Sequence, residues 1–397
     1  MRAPSALLLA AGCIATPAAA GTGPEFKPIV DARLRYENVD QQGIAREADA
    51  VTARMRAGFE LTQGDFALLA ESEATLAIVG DYNSSTNGRT QFPMVADPEN
   101  VELNRLQIQY RGLPKTVVTL GRQRINLDDQ RFVGSVGWRQ NEQTFDAVRL
   151  ESSALGPVTL DLSYAWSDRT IFGVDSAIQS ISGDNILANA GVKLGPVTIN
   201  GFGYLIDQDE AGRRQFSSQT YGARAAGAIP LGKTAKLNLL ASYAHQSDWQ
   251  DNPNDYSADY WLGEAGIAVK GFTLTGGYEE LGADEGAAFT SFQTPLATLH
   301  KFQGWADKFL TTPPNGIRDL YASAGYAAPS LKGLSLLIAW HRFESDRLDQ
   351  DYGTEWNAQI GFKPAKKLAV LLKYADYDAE DFATDTRKLW LQFDYVL

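Results

Sequence analysis

The feature that most constrains this chain is an alternation of apolar and polar residues that recurs to the last position. Val30, Ala32, Leu34 and Tyr36 alternate with Asp31, Arg33, Arg35 and Glu37. Ala53, Met55, Ala57, Phe59 and Leu61 alternate with Thr52, Arg54, Arg56, Gly58 and Glu60. Val158, Leu160, Leu162, Tyr164 and Trp166 alternate with Thr159, Asp161, Ser163 and Ala165. Leu389, Leu391, Phe393, Tyr395 and Leu397 alternate with Trp390, Gln392, Asp394 and Val396. A period of two belongs to strands with one apolar and one polar face, and helical spacing fits none of these runs.

The links between the runs alternate in length. Short ones carry Gly, Pro and Lys: Gln63-Gly64-Asp65, Gly112-Leu113-Pro114, Gly156-Pro157, Gly195-Pro196, Pro230-Leu231-Gly232, Lys270-Gly271, Pro329 to Gly333, and Lys363-Pro364-Ala365. Between them lie polar links near 39–48, 80–100, 125–143, 167–185, 207–218, 247–258, 283–316, 344–354 and 377–386. Short turns on one side and long loops on the other mark an up-and-down transmembrane barrel of the outer-membrane type. The reading is all-β: one antiparallel barrel of about eighteen strands over 21–397, with both termini periplasmic.

Leu155-Gly156-Pro157-Val158-Thr159 recurs as Leu194-Gly195-Pro196-Val197-Thr198. A repeat near forty residues also raises a β-propeller, but each repeat here holds two strands of about ten residues, the length that crosses a bilayer. With 21% charged residues the chain looks soluble, yet barrel strands hide their lipid face by alternation. Aromatics near strand ends, Tyr36, Tyr110, Tyr164, Trp166, Tyr204, Tyr243, Trp340 and Tyr374, suit girdles at the two water–lipid boundaries.

The ends agree. Arg2, the apolar stretch Ala6 to Ile14, and Ala18-Ala19-Ala20 read as a cleaved secretory signal over 1–20, with Gly21 the mature start. A lipoprotein site at Cys13 competes less well, and Cys13 is the only cysteine, so the mature chain has no thiol chemistry. The apolar, aromatic last strand suits recognition by the barrel-assembly machinery. A net charge of -12 argues against nucleic acid as a partner. The expected location is the outer membrane of a Gram-negative bacterium, among lipid and lipopolysaccharide.

Arginine crowds the first 150 residues. If apolar alternates face lipid, Arg33, Arg35, Arg54, Arg56, Arg105, Arg122, Arg124 and Arg149 face the lumen, where fixed guanidiniums would favour anions. Glu37, Glu60, Glu71, Glu73 and Glu151 share those faces, so cross-strand ion pairs that only brace the wall stand beside an anion path.

The segment Gly121-Arg122-Gln123-Arg124-Ile125-Asn126, with Asp128-Asp129, Arg131-Phe132, Gly134-Ser135, Gly137-Trp138-Arg139-Gln140 and Phe145-Asp146-Ala147-Val148-Arg149, resembles the alginate export family of outer-membrane proteins. The resemblance implies an arginine-rich channel for an anionic polysaccharide or its fragments, with Arg122, Arg124, Arg139, Asp146 and Arg149 lining or shaping the pore. The family's known exporter closes its lumen with a long periplasmic loop; here the corresponding turn is only Lys363-Pro364-Ala365-Lys366-Lys367. That leaves room for an open, anion-preferring porin. The loop from Asn126 to Gln143 either constricts the lumen or stays at the surface.

Acidic runs, such as Asp248, Asp251, Asp255 and Asp259, or Asp376, Asp378, Glu380, Asp381 and Asp385, read as solvated loop charge rather than cation sites. No metal, cofactor or catalytic motif is expected, and His341 is the single candidate for a barrel hydrolase. The readings are therefore a channel for anionic carbohydrate, a general nutrient porin, and a structural or adhesin barrel.

Overall fold

The computed structural model describes residues 23–397; the expected signal segment and Cys13 lie outside the described residues. Alternation delivers strands throughout. They are β1 (Glu25–Gln41), β2 (Ala48–Gln63), β3 (Phe66–Asp81), β4 (Asn100–Leu113), β5 (Thr116–Gln123), β6 (Thr144–Leu155), β7 (Val158–Arg169), β8 (Ser180–Leu194) and β9 (Val197–Ile206). Then follow β10 (Ser218–Leu231), β11 (Ala235–Asp248), β12 (Ser257–Val269), β13 (Phe272–Leu281), β14 (Ile317–Ala328), β15 (Leu334–Glu344), β16 (Asp351–Ala365), β17 (Leu368–Ala379) and β18 (Thr386–Val396). Each pairs antiparallel with its sequence neighbours, and β1 pairs β18 from Asp31↔Val396 to Gln41↔Thr386. One eighteen-stranded sheet thus closes on itself and leaves no unpaired edge for lipid to desolvate. The expected architecture is the observed one.

Polarity is inverted relative to a soluble protein. Leu34, Met55, Ile108, Leu120, Leu162, Leu274 and Ile338 are exposed on the outer face, where lipid covers them. Arg35, Glu37, Arg54, Arg56, Glu71, Glu73, Glu279, Asp319, Glu355, Lys373 and Lys388 are buried within. Aromatic pairs mark the periplasmic rim, Phe26–Phe59, Phe66–Tyr110 and Phe272–Tyr326. At the outer rim, Tyr36, Tyr164, Tyr243 and Tyr374 each donate a hydroxyl hydrogen bond to a carboxylate, those of Asp49, Asp184, Asp259 and Asp376.

Two expectations are corrected. Tyr204 is not a girdle residue: β9 turns Phe202, Tyr204 and Ile206 inward and leaves Gly201, Gly203 and Leu205 outside, so its apolar face meets lumen contents rather than lipid. The last short turn is Lys366-Lys367 alone. Strand β16 runs on through Lys363, Pro364 and Ala365, its register with β17 shifted between Phe362 and Ala365.

The long links are the outer loops. Two of them, L3 (residues 124–143) and L7 (residues 282–316), fold into the lumen and pair with each other. Val133 bridges Leu296 in parallel, and Gly134 N donates to Leu296 O at 2.9 Å. An apolar cluster forms where they meet the wall. Phe132 of L3 packs on Phe202, Tyr204, Tyr260 and Phe292, with ring centroids 5.0 to 6.0 Å apart. A β-barrel of this size cannot fill its interior with wall side chains alone; here two loops supply the missing core.

Candidate functional site

The site begins with four arginines on adjacent turns of alternation, Arg33 and Arg35 on β1, Arg54 and Arg56 on β2. Register sets Arg33 opposite Arg54, so like charges face each other across the ladder. Carboxylates offset that repulsion. Arg33 Nε lies 2.7 Å from Asp394 of β18, Arg54 pairs with Asp31, and Arg56 pairs with Glu73 and, at 3.2 Å, with Glu142. Further round the wall, Arg105 Nη2 lies 2.7 Å from Glu71, Arg124 Nε donates to Glu142 at 2.6 Å, and Arg149 Nε donates to Asp161 at 2.8 Å. Arg105 reaches the lumen in step with Gln107 and Gln109, and the β3–β4 register shift between Glu71 and Ser72 lets Leu103 face lipid as well.

These arginines hold L3. Arg33 Nη1 donates to the carbonyls of Gly137 and Trp138 at 3.1 and 2.9 Å, and Arg35 Nη2 donates to Trp138 O as well. Gln140 N donates to Asp97 Oδ1 at 2.8 Å, and Gln140 Nε2 to Thr52 Oγ1 at 2.8 Å. The loop from Asn126 to Gln143 is therefore a constriction. Three strands round the wall from β1 the sign reverses: Glu355 of β16 accepts from the amides of Trp305 and, at 3.0 Å, Ala306 in L7. One loop is held through its carbonyls by cations, the other through its amides by a carboxylate.

The loops meet at a buried node. Trp138 stacks on His300, centroids 4.4 Å apart and planes 5° from parallel. His300 Nδ1 lies 2.6 Å from Asp307 Oδ1, and Lys373 Nζ of β17 lies 2.7 Å from His300 Nε2. Asp307 accepts only, so Nδ1 carries the imidazole proton and Nε2 receives the lysine. Asp307 also binds Arg139 at 2.8 Å and Lys388 of β18 at 2.7 Å. Lys373 is framed by Trp305, Trp138 and Trp390, 3.7, 4.2 and 5.5 Å from their ring centroids, as a cation–π cage. Burial pushes His300 well below the ordinary imidazole range, so it is neutral here.

The expected site residues divide in three. Arg35, Arg54, Arg56 and Arg139 keep at most 6% side-chain exposure; Arg35, Arg56 and Arg139 fasten L3, and Arg54 pairs only with Asp31 of the wall. Arg33, Arg105, Arg124 and Arg149 keep 12% to 29% and border open space. Arg122 and Asp146 do not line the pore. Arg122 opposes Leu106 and Asp146 in register, Leu106 is exposed on the lipid side, and Arg122 shares its parity with Leu120. The two form a bidentate pair at 2.8 Å on the outer face. His300, Asp307 and Trp305 were missed because nothing local marks L7 as inward. Lys388 and Trp390 were legible, being the alternate set to Leu389 and Leu391 on β18. Among the described residues, no group of three or more His, Cys, Asp or Glu is placed to hold a metal ion.

The family model described as alginate export matches residues 30–278, which spans the arginine wall, L3 and the strands to β13. The chain belongs to the alginate export family. No curated protein matches it. Among solved structures it is similar to OpdK with vanillate from Pseudomonas aeruginosa (TM-score 0.72, 13% identity, 94% of this chain and 98% of that one). OccAB4 from Acinetobacter baumannii gives 0.73 at 13% identity, covering 94% and 98%, and OccK9 (OpdG) from P. aeruginosa 0.73 at 16%, covering 94% and 99%. At these identities the likeness is one of fold. This alginate export family member is an outer-membrane channel of a Gram-negative bacterium, set in lipid and lipopolysaccharide.

Proposed function

We propose that this channel passes small anionic solutes, short acidic sugars among them, rather than a polysaccharide strand. The observation that supports it is the division of the arginines. L3, L7 and the buried node fill the upper lumen, and the space left beside the wall is bordered by Arg33, Arg105, Arg124 and Arg149. Guanidiniums there attract and orient carboxylates. In this reading His341, 3.0 Å from Asp319, braces the wall. Residues 1–20 act as the export signal for one barrel domain, and the last strand is the segment read by the assembly machinery.

A general porin is the second reading, and one observation favours it: each of these arginines already has a carboxylate neighbour. Reversal potentials in a salt gradient separate the two. Anion preference that collapses in Arg105→Ala/Arg124→Ala/Arg149→Ala supports the proposal; equal permeability of both ions in the native protein refutes it. Current block by alginate oligomers tests the sugar-acid part separately.

A further inference from the structure

Above the node a second cavity of about 230 Å³ opens toward the outside, between L2 (residues 82–99), L3, L4 (residues 170–179), L5 (residues 207–217) and L7. Its upper walls are apolar, Ile171, Phe172, Ile178, Phe216, Leu299 and Leu310, and its floor is the node, Arg139, His300 and Asp307, already paired among themselves. Two further charged groups, outside the node, stand in those walls with no ion pair between them. Asp168, at the outer end of β7, is 1% exposed, and its Oδ1 has no hydrogen-bond partner. A buried carboxylate oxygen left so is costly, which marks a place where a donor belongs. Arg213 is fixed by Gln208, whose Oε1 accepts from Nε at 3.1 Å, and by Phe216, whose ring centroid lies 4.2 Å from the guanidinium carbon. Its terminal nitrogens donate to nothing among the described residues, and it forms no ion pair with Asp168.

We infer that this cavity binds a zwitterion with an apolar body, a free α-amino acid with a large hydrophobic side chain. The ammonium answers Asp168, the carboxylate takes the open guanidinium fork of Arg213, and the side chain covers the isoleucine and phenylalanine wall. An alternating set of four charges in a desolvated pocket leaves none unpaired. The volume lies below the roughly 300–1,000 Å³ of drug-sized sites, which fits one such molecule and excludes an oligosaccharide. A sugar would also leave its hydroxyls against apolar walls. The site is independent of the anion preference proposed above, and a solute entering it from outside comes to rest on the node.

Calorimetric titration of the detergent-solubilised protein tests this with three probes: L-phenylalanine, 3-phenylpropionate and phenethylamine. The expected result is that L-phenylalanine binds and that each singly charged analogue binds at least tenfold more weakly. Asp168→Asn should abolish the advantage over 3-phenylpropionate, and Arg213→Gln the advantage over phenethylamine. The inference is overturned if 3-phenylpropionate binds as tightly as L-phenylalanine, if no probe binds, or if both substitutions leave all three affinities unchanged. Barrel folding is checked by heat-dependent gel migration. Arg213→Gln lies on a loop outside the sheet and carries the test alone should Asp168→Asn fail to assemble.

Discussion

At the residue scale the node sets the pH response. Burial, then the neighbouring cations Lys373 and Arg139, depress His300 against the opposing pull of Asp307. Its folded value lies below the unfolded value of about 6.5, so docked L7 binds fewer protons than undocked L7. Docking is at full strength above about pH 6.5 and weakens as pH falls, by up to about 1.4 kcal/mol per unit. Burial alone would raise Asp307, but His300, Lys388 and Arg139 hold it well below the usual carboxylate range, so it stays charged through this window. Protection factors of L7 amides, the base-catalysed intrinsic rate at each pH divided by the observed exchange rate, should fall between pH 7.5 and 5.5, and His300→Gln should flatten that response; equal protection at both pH values would disprove it. The same node predicts an asymmetry. Asp307→Asn strands Lys388, leaves Arg139 with Glu37 alone at 3.4 Å, and should cost about 3–5 kcal/mol, whereas Lys373→Met removes a charge with no carboxylate partner and should leave stability level or higher. Thermal unfolding followed by gel shift reads both.

At the scale of elements, strand existence and loop length were legible because each depends on a local pattern. What failed depends on neighbours. Charge alone points Arg122 inward, but Leu120, two positions earlier, faces lipid, and the cross-strand partner Leu106 fixes Arg122 on that same side. Arg105 does face inward as expected, in step with Gln107 and Gln109; the shift beside it is what reverses Val101 and Leu103 relative to that alternation. On β9, glycines at 201 and 203 leave the outer face without bulk, so composition pointed Tyr204 the wrong way. The inward course of L7 is decided by Val133 against Leu296, residues far apart in sequence. Two tests belong here. Arg122→Ala/Asp146→Ala should leave ion selectivity unchanged while Arg124→Ala alone reduces it, as measured by reversal potential. Phe132→Ala removes the ring joining L3 to four aromatics and should cost about 3–5 kcal/mol of local packing, seen as larger or noisier single-channel conductance.

For the whole molecule, the inside-out distribution of polarity predicts which face tolerates charge. Ile108→Arg places a guanidinium among lipid tails and should destabilise the barrel by up to about 2–4 kcal/mol, with Gln107→Arg, one residue away on the lumen side, near neutral. Urea titration in lipid vesicles distinguishes them, and equal losses would contradict the assigned faces.

Arg33 and Arg35 carry a consequence for how the molecule is made. Each bonds β18 on one side, through Asp394 and Gln392, and L3 on the other. Before the first and last strands meet, these guanidiniums lack half their partners, and L3 has the weaker hold on the wall. Sealing the seam and seating the loop are therefore thermodynamically linked steps. A nascent barrel is a wide, unobstructed hoop until its ends join, and it acquires its constriction in the act of closing.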